Sequence, residues 1–347
     1  MSALQLLSMP KVGEQDAMLQ KKYAVDSLTT STWYDVRDTL YGDIFQITPL
    51  FDMLRAKGKI KQRAPKGSYF EIPIAYKKLK QNQKFFGRGA EFSREEGEFA
   101  TRLQYNVRNF GDSITRYWED EIQNKGEAQI LDYVEEVLAN HKGSIEETLH
   151  ESLWESAGPL SINALPDLIT TTPEVGTVGG LDRSKNTYVR NVVDDMTGVS
   201  LSASMVSRME TFYNTLSRLK GRAARRTPDL IITTQTLHEK YVGIARALGQ
   251  YQINPEQSKD NRVNLGMGDA MFKNAEMFWD PNCPEGQMYF LNTDTLEFPY
   301  DPDWWMQMTE WKSEATTLER YAQIVTRCNL VCNNFNKNGV MFNMLTA

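Results

Sequence analysis

Histidine and cysteine carry most acid–base, nucleophilic and metal chemistry in proteins, and this sequence holds few of them. Its histidines are His141, His150 and His238. His238 is followed by Glu239, but no second histidine stands four residues after the first, which excludes the helical zinc-protease motif. His141 and His150 fall on or beside an apolar helical stripe, where packing is a far commoner role than catalysis or metal binding.

The cysteines Cys283, Cys328 and Cys332 form an odd and sparse set, which favours a reducing compartment over a disulfide framework. We interpret them as small buried hydrophobic residues. The sequence has neither a Gly-x-Ser-x-Gly nucleophile motif nor a Walker phosphate-binding loop. Asp194 and Asp195 offer a carboxylate pair for a cation, although such loop pairs are usually only solvated. We therefore expect no enzyme activity, no catalytic residues, no cofactor and no bound metal.

Composition limits the class of protein further. The 347 residues are 41% hydrophobic and 24% charged, which is typical of a globular chain long enough for two or more cores. A net charge of -6 argues against a sequence-specific nucleic-acid binder, but it is compatible with a container for nucleic acid. Charged residues interrupt the N-terminal region, and no apolar run approaches twenty residues, so we expect neither a secretion signal nor a membrane span.

The clearest local pattern is a pair of alternating segments around a charged tip. Apolar residues stand at every second position over 68–76 and, on most alternate positions, over 99–107, which predicts two half-buried strands. An isolated ribbon cannot bury its own apolar face, so it must lie on another surface. Pattern alone leaves two alternatives equally open: a hairpin folded back on its own domain, or a flap that reaches a neighbouring subunit.

Other segments predict an α+β protein. Helical periodicity indicates helices over 32–56 (interrupted near Pro49), 126–155, 200–219 and 236–247, with a buried strand at 230–234. Strands are predicted at 275–279, 288–291, 321–332 and 340–344. The thirty-residue helix would be about 45 Å long, which suggests a spine.

Two charged clusters are candidate contact sites. In the hairpin tip, the candidate intersubunit contacts are Lys77, Lys78, Lys80, Lys84, Arg88, Glu91, Arg94, Glu95 and Glu96. At the end of a predicted helix, the candidate contacts to phosphate or to a neighbour are Arg218, Lys220, Arg222, Arg225 and Arg226. A solvated helix end is an equally good interpretation of the second cluster. The tryptophans Trp304, Trp305 and Trp311 are expected to pack in a core or an interface.

The order of these elements resembles the major capsid proteins of tailed bacteriophages, which have the HK97-like fold. Three ordered strings carry the resemblance: Gly179-Gly180-Leu181-Asp182-Arg183-Ser184, Pro228-Asp229-Leu230-Ile231-Ile232-Thr233, and Gly286-Gln287-Met288-Tyr289-Phe290-Leu291-Asn292. Val189 departs from the pattern, because relatives with the Asp-Arg-Ser loop often have tryptophan there.

The resemblance implies a domain organisation from the N-terminus to the C-terminus. We expect an N-terminal arm (1–30), a helical segment (31–60), an extended β-hairpin flap or E-loop (61–114), a peripheral domain with the spine helix and long strands (115–158 and 300–336), and an axial α/β domain (159–299 and 337–347).

The same resemblance implies a structural function. Copies of the chain would assemble into pentamers and hexamers of an icosahedral phage head around double-stranded DNA, without sequence-specific binding and without a membrane. The other expected partners are a separate scaffolding protein, a portal and a decoration protein, and the expected location is the virion, after assembly in the host bacterial cytoplasm. An encapsulin-type nanocompartment that encloses cargo enzymes is the alternative, and a hydrolase or transferase with an inserted hairpin is a rival from another class.

Overall fold

The computed structural model describes residues 49–76, 88, 100–117, 127–156, 158–218, 227–247, 270–313 and 319–344. The helices are α1 (Pro49–Ala56), α2 (Glu127–Trp154), α3 (Leu165–Leu168), α4 (Leu201–Arg218) and α5 (Gln235–Ala247).

The strands are β1 (Ile60–Gln62), β2 (Tyr69–Ala75), β3 (Ala100–Asn106), β4 (Arg108–Tyr117), β5 (Thr177–Val178), β6 (Leu181–Asp182), β7 (Val192–Asp195), β8 (Leu230–Thr233), β9 (Ala270–Phe272), β10 (Ala275–Trp279), β11 (Met288–Leu291), β12 (Leu296–Tyr300), β13 (Gln307–Met308), β14 (Lys312–Ser313), β15 (Glu319–Cys328), β16 (Val331–Cys332) and β17 (Gly339–Phe342).

The chain divides into two compact units. The first comprises residues 1–44, 110–148 and 306–326, and the second comprises 45–109, 149–305 and 327–347. In the first unit, β13 and β14 pair antiparallel with β15, and β4 pairs with β15 as well. The buried side chains of this unit include Ile114, Leu138 and Ile324, which come from strand β4, helix α2 and strand β15.

A six-stranded mixed sheet forms the centre of the second unit, in the order β7-β17-β11-β8-β10-β9. Strands β8 and β10 are parallel, as are β7 and β17, whereas β11 is antiparallel to both of its neighbours. Strands β8 and β11 are apolar along most of their length and buried at every position, as expected for central strands covered on both faces.

Helices α4 and α5 cover this sheet. Helix α4 carries apolar residues at three- and four-residue spacing, and Met205, Met209, Phe212 and Leu216 are all buried in one cluster with Leu237 of α5. The helix thus buries the stripe that its sequence predicts. Helix α1 belongs to the same unit, where the Phe51 ring meets the Phe298 ring of β12 edge to face with 4.9 Å between centroids.

The predicted strand over 321–332 ends earlier than its alternation suggests. Strand β15 stops at Cys328, and β16 begins only at Val331, because the side chain of buried Asn329 takes over the local hydrogen bonds. Its Oδ1 accepts from the backbone amides of Asn163 and Leu330, and its Nδ2 donates to the carbonyl of Asn106 at 2.7 Å. Side chain–backbone bonds of this kind compete with a strand ladder.

Two further elements differ from the expected pattern. The segment 158–191, for which no helix or strand is predicted, contains α3 and the small hairpin of β5 and β6. Strand β4 follows β3 after a single residue, Val107, and continues past residue 114, where the predicted flap ends. None of the described helices is long and apolar enough to cross a membrane. The five predicted domains stay a prediction.

Gly339 of β17 is expected to tolerate no side chain. A Cβ at this position would lie 2.6 Å from Cζ of Phe212 and 2.8 Å from the carbonyl oxygen of Val192, so Gly339→Ala should lower the free energy of unfolding by about 1–3 kcal/mol. The control is Gly243→Ala, at an exposed position of helix α5 where no atom lies within 4 Å and alanine should add about 0.5–1 kcal/mol. Urea unfolding followed by circular dichroism measures both changes, and an equal effect of the two would contradict this packing.

Candidate assembly surfaces

Most of the predicted contact residues lie outside the part of the chain that the structure describes. Of the hairpin-tip candidates, Arg88 is described and is exposed in a turn. Outside the described residues are Lys77, Lys78, Lys80, Lys84, Glu91, Arg94, Glu95 and Glu96. Of the basic cluster, Arg218 is exposed at the end of α4, and Lys220, Arg222, Arg225 and Arg226 lie outside.

The base of the hairpin is a two-stranded antiparallel ribbon. Strands β2 and β3 pair over seven residues each, with Ile72 opposite Leu103, so the two alternating segments of the sequence do meet as strands. Their apolar side chains are buried within this chain: Phe70, Ile72, Ile74, Leu103 and Tyr105. The described base therefore lies on its own unit. Whether the tip reaches a neighbour stays a prediction.

One buried tyrosine fixes the inner face of the ribbon. The hydroxyl of Tyr105 donates to the carbonyl of Cys332 at 2.8 Å, and burial raises the pKa of this tyrosine well above its ordinary value. Asn106, the next residue, accepts the bond from Asn329 described above. The ribbon is thus held to the second unit by polar contacts as well as by apolar burial.

The outer face of the ribbon is polar. Glu71 lies between Lys66 and Arg102, with 3.2 Å from its Oε2 to Nζ of the lysine and to Nη1 of the arginine. The hydrogen bond from Lys66, together with the charges of both cations, lowers the pKa of Glu71. Because both cationic side chains are largely exposed, this triad contributes little to stability and is free to exchange partners.

A row of four cations leads from α1 into this ribbon, and every member is paired with a carboxylate of the second unit. Lys57 binds Asp229, Lys59 lies 3.3 Å from Asp294, and Lys61 and Arg63 both reach Glu297. Lys61 lies in β1, which pairs parallel with β12, the strand that carries Glu297; Lys57 follows α1 in a turn, and Lys59 and Arg63 flank β1.

The first pair of the row is the most deeply buried. Asp229 is 2% exposed, and it accepts bonds from the amide and the hydroxyl of Thr293 at 2.8 and 2.7 Å in addition to its contact with Lys57. Arg63 also donates to the carbonyl of Glu71 in the ribbon at 3.0 Å. The row was not predicted, although cations at every second position, Lys57-x-Lys59-x-Lys61-x-Arg63, form a pattern that could have indicated it.

A buried arginine organises the loop that carries the first of the three strings of the resemblance. Arg183 is 2% exposed, and its Nη2 donates to the carbonyls of Asp167 and Leu168 at 3.0 and 2.8 Å. Burial lowers the pKa of this guanidinium. Val189, the departure from the family pattern, is fully buried in the same loop, so a smaller side chain fills that place.

The three histidines are packed or paired residues. Nδ1 of His141 lies 2.7 Å from Oδ2 of Asp112. Nε2 of His150 lies 3.1 Å from both carboxylate oxygens of Asp280, which is fully buried and also accepts from the amide of Asn282. His238 is half-buried on α5.

Other candidates for chemistry are also packed or paired. Cys283, Cys328 and Cys332 are buried free thiols, and burial raises the pKa of the last two to about 12. Asp194 pairs with Arg208 at 2.9 Å, and Asp195 accepts from Thr197 and Asn343. Within the described ranges, no group of three or more histidine, cysteine, aspartate or glutamate residues is placed to hold a metal ion.

The tryptophans lie in two different settings. The ring of Trp305 packs on Tyr300 with 4.6 Å between centroids, and the guanidinium of Arg116 lies 4.0 Å above the ring of Trp311. Trp304, by contrast, is 42% exposed. Packing thus accounts for two of the three rings.

Comparison with known proteins adds the identity of the fold. No protein-family model matches the sequence, and no curated protein matches it. The chain is similar to the solved capsid asymmetric unit of cyanophage A-1(L), at 13% identity and a TM-score of 0.60, over 83% of this chain and 90% of that one. It is also similar to the SrpI encapsulin of Synechococcus elongatus PCC 7942, at 7% identity and a TM-score of 0.53, over 86% and 88% of the two chains.

The chain has the HK97-like capsid fold. The fold that the ordered strings implied is thereby confirmed, with mixed α and β structure in both units. Both of these HK97-like neighbours are shell proteins. The finer assignments within the fold, namely the E-loop and the spine role of α2, stay predictions.

Breaking the buried pair at the start of the cation row is expected to be costly. Lys57→Met should lower the free energy of unfolding by about 3–5 kcal/mol, because the carboxylate of Asp229 then stays buried without its cation. The matched control is Lys66→Met, whose lysine is 71% exposed beside Glu71, with an expected loss below about 1 kcal/mol. Urea unfolding compares the two, and similar losses would contradict the assigned difference in burial.

Proposed function

We propose that this chain is the major capsid protein of a tailed-bacteriophage head. The observation that carries the proposal is the shared fold with the cyanophage capsid chain, over 83% of this chain and 90% of that one. In this function the chain forms pentamers and hexamers, and these close into an icosahedral shell around double-stranded DNA. The net charge of -6 supports enclosure of DNA without sequence-specific binding.

In the proposed shell, the hairpin acts as an intersubunit flap. Its base is anchored on its own unit by the buried face of β2 and β3, and its described outer face carries the exchangeable charges of Lys66 and Arg102. The tip over 77–98 contains six cations and four anions, so charges of both signs are present for ion pairs with the next copy. Each such contact is weak, but closure of a ring makes many of them form together.

The remaining partners follow from the same proposal. A scaffolding protein would direct the curvature of assembly, a portal would occupy one vertex, and a decoration protein would bind the outer surface. The shell would assemble in the bacterial cytoplasm and be part of the virion. The basic cluster from Arg218 to Arg226 is then a candidate contact to a neighbour or to packaged DNA phosphates.

An encapsulin-type compartment is the second candidate. The similarity to the SrpI encapsulin, with a TM-score of 0.53 over 86% of this chain, favours it. The two candidates share the shell and differ in its contents, which are nucleic acid in the first and cargo enzymes in the second.

Electron microscopy of the purified chain tests the shell. We expect closed particles or rings, either alone or with a co-expressed scaffolding protein, since the fold is that of shell subunits. Particles recovered from the native source after nuclease treatment should contain protected double-stranded DNA if the phage proposal holds, and a cargo enzyme if the encapsulin alternative holds. A chain that remains monomeric over a wide range of salt and concentration would overturn both.

Charge reversal in the hairpin tip tests the flap. Glu95→Lys combined with Glu96→Lys should abolish or misdirect particle formation, because the tip would face its partner with the wrong charge. The control is Glu239→Lys, at an exposed position of helix α5, which should leave assembly unchanged. Circular dichroism should show equal folding of the variants, and normal particles from the double variant would refute the tip as a contact.

A further inference from the structure

Strand β3 of the hairpin contacts one small loop of the same unit. The amide of Gln104 in β3 donates to the carbonyl of Gly179 at 2.9 Å, where β5 turns into β6. Gly179 has a φ of +54°, and a Cβ at this position would lie 2.9 Å from Cβ and Cδ2 of Leu103. The ribbon thus rests directly on a bare backbone, where any side chain would strain the loop and displace Leu103.

A second contact lies farther along the ribbon. The ring of Tyr76, the residue after β2, stacks on the ring of Tyr188 with 4.7 Å between centroids and 19° between planes. Gly179 and Tyr188 belong to the same loop, residues 176–191. The loop therefore touches β3 and the residue that follows β2, at two points separated along the hairpin.

The loop itself is held firmly. The amide of Arg183 bonds the carbonyl of Gly176, and its guanidinium is fixed to the end of α3. Arg190 donates back to the carbonyls of Arg183 and Ser184 at 2.7 and 2.8 Å. These bonds close the loop on itself, so it can act as a rigid support.

We propose that the loop 176–191 is the support that sets the direction in which the hairpin leaves its subunit, with Gly179 and Tyr188 as positioning residues. Because the rigid loop contacts the ribbon at two separated points, it restrains the angle of the ribbon as well as its position. Its consequence for a shell rests on the proposed function: a changed hairpin direction would alter the size or closure of particles. The effect on direction itself can be measured in the single subunit.

Pulsed electron paramagnetic resonance tests the direction. One spin label would be placed on Ala100→Cys, at the end of β3 next to the tip, and the other on Ser207→Cys, exposed on α4. The distance between them would report the direction of the hairpin relative to the sheet that α4 covers. The three native thiols are buried, so labelling should be selective. We expect Gly179→Ala and Tyr188→Ala each to shift or broaden the distance distribution.

Two matched controls separate the contacts from general effects of substitution. Gly180→Ala places alanine at another positive φ, +79°, but with no atom within 4 Å of its Cβ. Tyr69→Ala removes a hairpin ring that is 43% exposed. Both should leave the distribution unchanged. If Gly179→Ala does not fold, Tyr188→Ala decides alone, and a distribution equal to that of the controls would overturn the proposal.

Hydrogen exchange provides an independent measurement. The Gln104 amide should exchange about five- to tenfold faster in Gly179→Ala, the equivalent of one net hydrogen bond, whereas amides of β8 should not change. Equal acceleration at both places would indicate general destabilisation and count against a positioning role. Electron microscopy then compares particle diameters. Absence of particles from the unaltered chain would refute the proposed function, while the distance measurement would still decide the role of the loop.

Discussion

A two-stranded antiparallel ribbon has one apolar face and nothing within itself to cover that face. In this chain the surrounding structure supplies the cover. Phe70, Ile72 and Leu103 are buried, the Tyr105 hydroxyl reaches the Cys332 carbonyl, and Asn329 holds the end of β3. The base of the ribbon is therefore part of the fold, and within the described residues its outer face is left for interactions with other molecules.

Buried charged groups also hold segments of the second unit in place. Lys57 pairs with Asp229, Arg183 donates to the carbonyls at the end of α3, and buried Lys337 donates to the carbonyl of Leu216 in the last turn of α4. Cations at helix ends complement unpaired carbonyls and the helix dipole. Arg183 and Lys337 thereby hold connecting segments to helix ends, and the Lys57–Asp229 pair joins the segment after α1 to the residue before β8.

Much of this architecture could be predicted from residue patterns, for reasons that differ between elements. The alternation over 68–76 and 99–107 and the stripe of α4 reflect burial of one face, which is a local property, and the structure places those elements within one or two residues. Asn329 ends β15 through bonds to residues far away in sequence, so no local pattern could have indicated the break.

The candidate site was predictable to a smaller extent. The charged residues of the tip predict a contact region but not the residues that it contacts. The contact of Gly179 with Leu103 depends on the fold that brings them together. The string around Arg183 carries part of the resemblance, but its chemistry, a buried guanidinium on helix-end carbonyls, depends on the three-dimensional fold. At Val189 the sequence departs from the pattern of the resemblance, and the structure accounts for this departure because the valine side chain is fully buried.

The cluster between the sheet and helices α4 and α5 is rich in methionine, with Met196, Met205, Met209, Met277, Met288, Met341 and Met344 among its eighteen buried residues. Unbranched thioether side chains change shape at low energetic cost and fill irregular gaps. Such a core lets the two helices shift on the sheet by small amounts without opening a cavity. In the shell proposed above, one sequence would have to meet the different curvatures of rings of five and of six copies, and a compliant interior would absorb that difference at little cost in stability.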